Sequence, residues 1–541
     1  MFFKNILIIL FLLYLSGCAT YEQQLTRTYQ NIENENYNQA EIELQKKFEY
    51  SSSDRVLYYM ELGILKHLSG EYKESNRNLE LAEREIENLY TKSISEEILV
   101  GTTNENLSTY KGTDYENLLI NYYKSLNYLK IYQNNKHNIS LLDSSLVEIR
   151  RIDFKLNKLR NEKGSLKENK ESDFLNILSF FNKVLGDYTN KEKLIYSESA
   201  YSHYYSGIIY EQSSDWDNAR IAYEKAAKSY ENGYANQVGI GNQMAERAWL
   251  DVIRMKYKSG DPQYKLLDIM DEKLSKKSIN LFEKYKNNSY GEMVLINHVG
   301  YVERKDEMNF VAKIDQKNQE LIMYPVLNSK SSFSSDKYKW FWMMYADKGI
   351  FDLIERYHRN SLNDIPKTFI QKRVPLYPLW NLVNSLDLDD VLKDGGIRVA
   401  VPYYRTPKKI YKTQLVLNKN KKIRSIRADS ISSLAINEQI LNARSDLYMA
   451  LSREIIKNYA FVKTMDAVDN PFLNIGIKAL VATTAKSDTR NWSLLPSEIQ
   501  IIRFPLSEGT HHISVRKGSQ SLIKNVNIKR NDIIILKERF Y

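Results

Sequence analysis

The run Tyr201–Tyr230, YSHYYSGIIYEQSSDWDNARIAYEKAAKSY, decides the fold of the first half of the chain. Two stretches with helical spacing flank a polar turn at Asp215. Small residues recur where two helix backbones would approach each other, and aromatic residues recur where the space between helices would be filled. These packing residues are Gly207, Tyr210, Trp216, Ala219, Tyr223 and Ala226. We therefore expect two antiparallel helices in close contact.

A similar spacing occurs nearer the start of the chain. The pattern that begins at Tyr37 is repeated from Tyr72, which is close to the ~34-residue period of tetratricopeptide repeats. Tyr59, Gly63 and Tyr72 are the packing residues of this earlier unit. The offsets resemble the tetratricopeptide pattern, which implies an all-α, tetratricopeptide-like helical array over residues 18–285. The concave face of such an array would bind a protein partner; alternatively, the helices only support the second half of the chain.

The first twenty residues carry a targeting signal. A short apolar run, Ile6–Leu15, leads into Leu15-Ser16-Gly17-Cys18, and Cys18 is the only cysteine in the chain. An apolar run this short is typical of a removed signal peptide and not of a membrane span. We expect 1–17 to be a lipoprotein signal peptide and Cys18 to be lipidated. A residue other than Asp after the cysteine favours the outer membrane in enterobacterial sorting. The alternative is a plain secretion signal.

Positive charge is concentrated in one window. The chain carries a net charge of +10, and residues 396–428 contain ten Lys and Arg but no Asp or Glu. Outside the cytoplasm such a surplus favours an anionic envelope polymer, a lipid headgroup or an acidic protein, and not nucleic acid. The candidate binding residues are Arg405, Lys408, Lys409, Lys412, Lys419, Lys421, Lys422 and Arg424. The alternative is that these cations protect a sheet edge from association.

The second half of the chain changes to short alternating or apolar runs that predict strands. Two helical stretches interrupt them, one over Trp340–Tyr357 and a longer one at about 432–463. We expect an α+β domain over 286–495 with the long helix across a sheet. Residues 496–541 predict consecutive strands, and their Leu-x-x-Gly-x-His turn resembles the small β-modules called PEGA domains. The resemblance implies a terminal β-sandwich-like module.

No established catalytic or cofactor-binding motif is present. The seven histidines are scattered, without a His-Glu-x-x-His pair, and the glycines form no phosphate-binding loop. We assign no catalytic residue, no metal ligand and no cofactor. The clearest polar cluster consists of Asp488, Arg490 and Trp492. We interpret it as a structural clasp in which the Asp and Arg pair while the Trp covers a sheet edge.

Together these features resemble an uncharacterised family of Gram-negative envelope lipoproteins. The resemblance is carried by the lipobox, the helical repeats with Asn121–Leu129, the strand that begins at Gly291, and the segment Asp488–Pro496 followed by Gly509-Thr-His511. It implies no known activity. Family members tend to be encoded beside lipoproteins that activate peptidoglycan synthases, which implies a role in wall assembly. This chain departs from the family in its richness in Asn, Lys and Tyr.

The sequence thus predicts a periplasm-facing outer-membrane lipoprotein that acts as an adaptor in peptidoglycan synthesis or envelope maintenance. It would be attached to the membrane through Cys18, contact an envelope protein through the helices, and contact peptidoglycan or another anionic polymer through the strands. One alternative is an enzyme that acts on envelope glycans, with carboxyl groups as acid and base. Another is a surface-displayed adhesin or secretion accessory.

Overall fold

The computed structural model consists of an N-terminal helical region followed by a strand-rich region with antiparallel sheets. It describes residues 21–48, 53–91, 108–135, 138–161, 173–185, 199–287, 290–326, 336–344, 354, 357–358, 371–393, 395–407, 409–465 and 485–541. Cys18, Lys408 and much of Trp340–Tyr357 lie outside these residues. Within them, no helix is both long enough and apolar enough to cross a bilayer.

Thirteen helices of the described residues precede the first strand, and four follow it. They are α1 Tyr21–Gln24, α2 Thr26–Glu33, α3 Tyr37–Phe48, α4 Arg55–Leu68, α5 Tyr72–Thr91, α6 Asp114–Asn134, α7 Ser140–Asn161, α8 Asp173–Leu185, α9 Ala200–Gln212, α10 Trp216–Ser229, α11 Gln243–Lys258, α12 Gln263–Lys273, α13 Lys276–Tyr285, α14 Asp336–Met344, α15 Trp380–Ser385, α16 Leu388–Val391 and α17 Ile431–Met465. A π-helical turn, Tyr230–Tyr234, and a short helical turn, Ala235–Gln237, separate α10 from α11.

The helices α9 and α10 form the hairpin expected from Tyr201–Tyr230. The Asp215 carboxylate accepts a hydrogen bond from the Asn218 backbone N–H and caps the start of α10. Gly207 allows the close approach, since a Cβ atom there would lie 2.5 Å from the Tyr223 ring. Helices α4 and α5 pack in the same way, because a Cβ on Gly63 would lie 2.6 Å from the side chain of Leu79.

Twelve strands of the described residues form three four-stranded sheets. The strands are β1 Tyr290–Val299, β2 Lys305–Asp315, β3 Glu320–Pro325, β4 Lys372–Pro375, β5 Ile397–Tyr404, β6 Gln414–Leu417, β7 Lys421–Arg424, β8 Ile426–Ser430, β9 Glu498–Ser507, β10 Gly509–Lys517, β11 Gln520–Ile528 and β12 Ile533–Phe540. Sheet 1 has the order β12-β1-β9-β8, sheet 2 the order β11-β10-β6-β7, and sheet 3 the order β4-β3-β2-β5.

Sheet 1 is the middle layer between the helices and sheet 2. The central strands β1 and β9 are buried along almost their whole length. Val294 and Ile501 belong to the large core shared with the helical region, whereas Leu295 and Phe504 belong to a separate core shared with sheet 2. Because successive side chains of a strand point to opposite faces, one strand contributes to both cores. The helical and strand-rich regions therefore share one continuous core.

The terminal segment 496–541 does not form a sheet of its own. Strand β9 pairs with β1 and β8, β12 pairs in parallel with β1, and β10 pairs with β6. This differs from the separate module expected from the sequence. Sheets 1 and 2 do stack on each other, but each combines strands from both sides of residue 495. Sequence alternation predicts where strands lie but not which strands pair, because pairing is a long-range choice.

Sheet 3 lies beside the long helix. Helix α17 packs on β5, and its apolar residues Leu447 and Leu451 are buried. The Trp340 indole N–H donates to the Tyr404 backbone carbonyl at 2.7 Å, which fixes α14 to the same strand. The long helix expected at about 432–463 is thus observed, at Ile431–Met465, and it packs on the edge strand of sheet 3.

Candidate functional site

The structure divides the basic window between different surfaces. The Arg405 guanidinium forms an ion pair with Asp306 at 2.8 Å at the edge of sheet 3. Lys412 donates a hydrogen bond to the side chain of Gln243 at 2.9 Å, on the helical region. Lys408 lies outside the described residues. Arg405 and Lys412 are therefore engaged by this chain's own side chains.

The remaining candidate binding residues of the window lie at or near the β6–β7 hairpin. Lys409 lies 5.9 Å from the ring centre of the exposed Tyr411, and Lys419 occupies the hairpin turn with φ of 65°. The Lys421 ammonium lies 5.6 Å from the ring centre of Phe504, and partial burial followed by repulsion from a neighbouring lysine lowers its pKa. Lys422 and Arg424 are exposed on β7, the edge strand of sheet 2. The edge position also suits the protective role considered from the sequence.

The cross-strand register gathers alternate residues of four strands on the outer face of sheet 2. Leu415, Ile513 and Val526 point to the core shared with sheet 1, so the residues between them point away from it. None of these outward-facing residues is acidic. In rows across the sheet they are Arg424, Gln414, Arg516 and Ser521; then Lys422, Val416, Ser514 and Ile523; and then His512 and Asn525. We call this set the basic face.

Three cations of the basic face are spaced by the geometry of the sheet. Neighbouring strands are about 4.8 Å apart and alternate residues about 7 Å apart. Arg424 and Arg516 share one row and lie two strands apart, so their backbones are about 10 Å apart. Lys422 lies one row away from Arg424. Within the described residues Lys422 and Arg424 form no ion pair, and the Arg516 Nε donates to the Ser514 hydroxyl at 3.3 Å. Amides and hydroxyls lie between these cations.

The basic face includes residues that the charge window did not indicate. Arg516 and His512 lie about ninety positions after β7, and only the pairing of β10 with β6 brings them beside it. The His512 ring lies 3.0 Å from the Asn525 side-chain oxygen. A signal was present in the sequence, because basic and polar residues alternate with apolar ones along β10. The strand register was needed to show that these two distant strands form one surface.

A second open surface lies on the helical region between α5, α6 and α7. A cavity of 270 Å³ is lined by both acidic and basic side chains. Phe154 lies at this cavity with 70% of its surface exposed, and Val147, two helical turns earlier on α7, is 44% exposed. The charged residues that line the cavity are Glu80, Glu83, Arg84, Glu87, Asp114, Arg151, Lys155 and Lys158. An exposed aromatic residue beside mixed charges is a surface to which a protein segment can bind.

A buried charge cluster joins the helices to sheet 1. Three arginines and three carboxylates, each at most 7% exposed, form it: Glu211, Arg247, Asp251, Arg254, Glu292 and Arg503. The Arg503 guanidinium of β9 lies 2.5 Å from a carboxylate oxygen of Glu211 and 2.5 Å from one of Glu292. Burial alone would raise the pKa of Asp251, but the arginines, Arg247 first, lower it to about 2. We call this set the ionic cluster. Its mutual pairing and burial indicate a structural role.

The polar segment before β9 is also attached to the helices. Asp488 pairs with Arg490 at 2.6 Å, and Arg490 also pairs with Asp54 at the start of α4. Trp492 is fully buried, and its backbone N–H donates to the Glu116 carboxylate of α6 at 2.7 Å. The expected Asp–Arg pair is present. The partner of the Trp492 backbone, however, is a helix and not a sheet edge.

Three buried carboxyl groups have raised pKa values. Burial raises the pKa of Glu61 to about 7, although the Ser493 and Leu494 backbone N–H groups donate to it, and burial raises that of Asp429 to about 7. Burial, and then repulsion from acidic residues of α6, raises the pKa of Glu438. Raised pKa values are typical of general acids. Each carboxyl here is at most 8% exposed and is held between packed elements, which favours a structural role.

Two buried histidines, His67 and His298, contact the Tyr123 ring. His298 lies within hydrogen-bonding distance of the hydroxyls of Tyr122 and Tyr123, and burial lowers its pKa well below the usual range. His67 lies against the Asn127 side chain. Among the described residues no group of three or more His, Cys, Asp or Glu side chains could hold a metal ion.

The basic face and the α5–α7 cavity are therefore two surfaces of the described residues with chemistry open to a ligand. Comparison of this chain with protein-family models, with curated proteins and with solved structures finds no match.

Proposed function

We propose that this chain is a lipid-anchored adaptor of the Gram-negative envelope. Its basic face would bind an anionic envelope polymer, and its helical region would bind a protein of peptidoglycan synthesis or envelope maintenance. The observation that carries the proposal is the basic face, in which cations from two strands distant in sequence share one surface without an acidic residue. The favoured location is the periplasmic side of the outer membrane.

The geometry of the basic face suits an extended polyanion. Lys422, Arg424 and Arg516 lie about 7 to 12 Å apart on a sheet surface, so one compact anion would contact them less well than a chain of anionic groups. The Gln414 and Asn525 amides and the Ser521 hydroxyl of the same face are not buried, and such groups can bind the neutral hydroxyls of a glycan. This combination favours an anionic glycan such as peptidoglycan or lipopolysaccharide.

The helical region supports the second half of the proposal. We infer that its hairpins are tetratricopeptide-like, because Gly63 and Gly207 occupy equivalent close contacts in α4–α5 and α9–α10. Phe154 and the α5–α7 cavity supply an aromatic contact and charges of both signs for a protein segment. The rigid connection to sheet 1 would hold both ligands at a fixed separation.

Sedimentation with purified peptidoglycan sacculi and with lipopolysaccharide tests the basic face. We expect the triple variant Lys422→Glu, Arg424→Glu, Arg516→Glu to lose at least tenfold in apparent affinity. The matched control carries the same change of charge at exposed lysines of α12 and α13, namely Lys265→Glu, Lys276→Glu and Lys277→Glu. Equal binding by both triple variants would contradict the polymer half of the proposal.

Two further experiments test the anchor and the partner. Cys18→Ser should release the protein from membranes, and continued sedimentation with the membrane fraction would contradict lipidation. A photo-crosslinking amino acid at Phe154 should capture a peptidoglycan-synthesis protein in cells. The control position is Tyr264 on α12, which is similarly exposed at 65%. Capture of the same proteins from both positions would contradict a specific contact at α7.

A further inference from the structure

Helix α1 begins three residues after the expected lipid attachment site. Tyr21, the first residue of α1, is only 4% exposed. Its hydroxyl donates to the buried Glu61 carboxylate of α4 at 3.1 Å, and its ring centre lies 6.2 Å from that of Phe48. The chain is therefore fixed to the helical region from Tyr21 onward.

This attachment limits the distance between Cys18 and the body. Three residues span at most about 11 Å when fully extended. A compact chain of this length has a radius of gyration of about 24 Å. A body attached through so short a segment cannot turn its far side to the bilayer. The surface around Tyr21 is the part that an acyl chain on Cys18 would hold against the membrane.

The surface around Tyr21 also has the chemistry for that position. The Lys47 ammonium lies 5.5 Å from the Tyr21 ring centre, and Lys46 beside it is 63% exposed. Arg27 of α2 is exposed, and it lies close enough to Glu43 to help Lys46 lower the pKa of that carboxyl. Lys46 and Arg27 thus lie beside Glu43, and Lys47 lies between the Tyr21 ring and Asp54, 4.0 Å from that carboxylate.

An exposed apolar residue accompanies the cations. Ile42 is 44% exposed and precedes Lys46 by one helical turn, so the two side chains share one face of α3. Basic residues beside an exposed aliphatic side chain are typical of protein surfaces that lie on anionic lipid headgroups.

We infer that the tip of the helical region formed by α1, α2 and the last turn of α3 lies directly on an anionic phospholipid bilayer. This inference rests on the lipidation in the proposed function and adds a fixed orientation to it. The occupant of the surface is the headgroup layer of the membrane that holds the anchor. The remainder of the body then projects away from that membrane.

Fluorescence quenching in vesicles tests the orientation. The lipidated full-length protein is reconstituted into phosphatidylethanolamine–phosphatidylglycerol vesicles that include a lipid with a nitroxide headgroup. A dye is attached at Gln45→Cys on α3 or, as the control, at Tyr264→Cys on α12; both positions are exposed. Cys18 is the only native cysteine, so an acylated chain offers a single thiol for labelling. We expect several-fold stronger quenching at position 45 than at position 264.

A linker variant provides the second measurement. About twenty Gly and Ser residues inserted between Thr20 and Tyr21 would give the tether a root-mean-square length of about 25 Å. We expect this insertion to reduce the quenching at position 45 to the level at position 264. Equal quenching at both positions, or no effect of the insertion, in an acylated and vesicle-bound protein would overturn the orientation alone. A purified protein without acyl mass would overturn the anchor itself.

Discussion

Replacement of Arg503 by methionine tests whether the ionic cluster holds the two regions together. Arg503 is 1% exposed in its side chain and pairs with Glu211, Asp251 and Glu292. It also donates to the Tyr223 hydroxyl at 2.7 Å, so a single side chain of β9 contacts α9, α10, α11 and β1. Methionine fills much of the same space but leaves three carboxylates with only two arginines.

The expected loss of folding stability follows from the burial of the ionic cluster. Removal of one partner from a buried ion pair typically costs about 3–5 kcal/mol, because the remaining charge stays desolvated without compensation. Here all three carboxylates are at most 5% exposed, so we expect the upper part of that range. The matched control is Arg530→Met, whose pair with Glu508 joins side chains that are 66% and 51% exposed. That pair should contribute at most about 1 kcal/mol.

Urea unfolding followed by circular dichroism and by tryptophan fluorescence measures the difference. Arg503→Met should lower the unfolding midpoint much more than Arg530→Met, and it should separate the transitions of the helical and strand-rich regions. In the wild-type protein, the ionic cluster should also stop stabilising the fold in acid. Its carboxyl pKa values are depressed in the folded state, so its stabilisation is present above about pH 4 and lost as the pH falls toward about 2. Equal midpoints for the two variants would refute the reasoning.

Two other substitutions test local features of the structure. Gly207→Leu should lower the free energy of unfolding by at least about 1–3 kcal/mol, because even a Cβ atom there would lie 2.5 Å from the Tyr223 ring. The control Gly395→Leu has open space around it and should change the free energy of unfolding by about 0.5 kcal/mol or less. Comparable urea midpoints for these two variants would contradict the tight contact. Burial raises the folded pKa of Asp429 to about 7, so the folded state keeps the proton of this carboxyl to a higher pH than the unfolded chain does. The stability of the wild-type protein therefore falls between about pH 4 and pH 7, and Asp429→Asn should remove this fall. Urea midpoints measured across this pH range should decline less in the variant, and parallel declines would contradict the raised pKa.

Local patterns predicted the elements of this fold well. Helical spacing located the hairpin in Tyr201–Tyr230, and the apolar stripe around Leu447 located a helix that runs from Ile431 to Met465. Alternation located most of the strands. The run Lys422–Arg427 alternates like a single strand, but it contains the end of β7 and the start of β8, which lie in different sheets. Side-chain alternation continues across Ser425, so it could not reveal the change of partner.

The candidate site was predicted only in part, for a related reason. The charge window identified Lys422 and Arg424, but it also included Arg405, which the fold pairs with Asp306 on another sheet. Arg516 belongs to the same face as Arg424 and was missed because its strand lies far away in the sequence. Net charge over a window measures neighbours along the chain, whereas a binding surface depends on neighbours in space.

The ionic cluster shows what signal could have revealed the junction between the two regions. Strands β1 and β9 are apolar along most of their length because both faces are buried, and a strand of that kind has no solvent-facing position for a charge. Glu292 and Arg503 nevertheless interrupt these strands. A charge in a doubly buried strand is stable only if a partner of opposite sign is buried with it, and α11 supplies Arg254 and Asp251 on one face. Glu292 and Arg503 pair with each other, and charges on α11 complete the cluster, so the two interruptions mark the face of sheet 1 that packs on the helices.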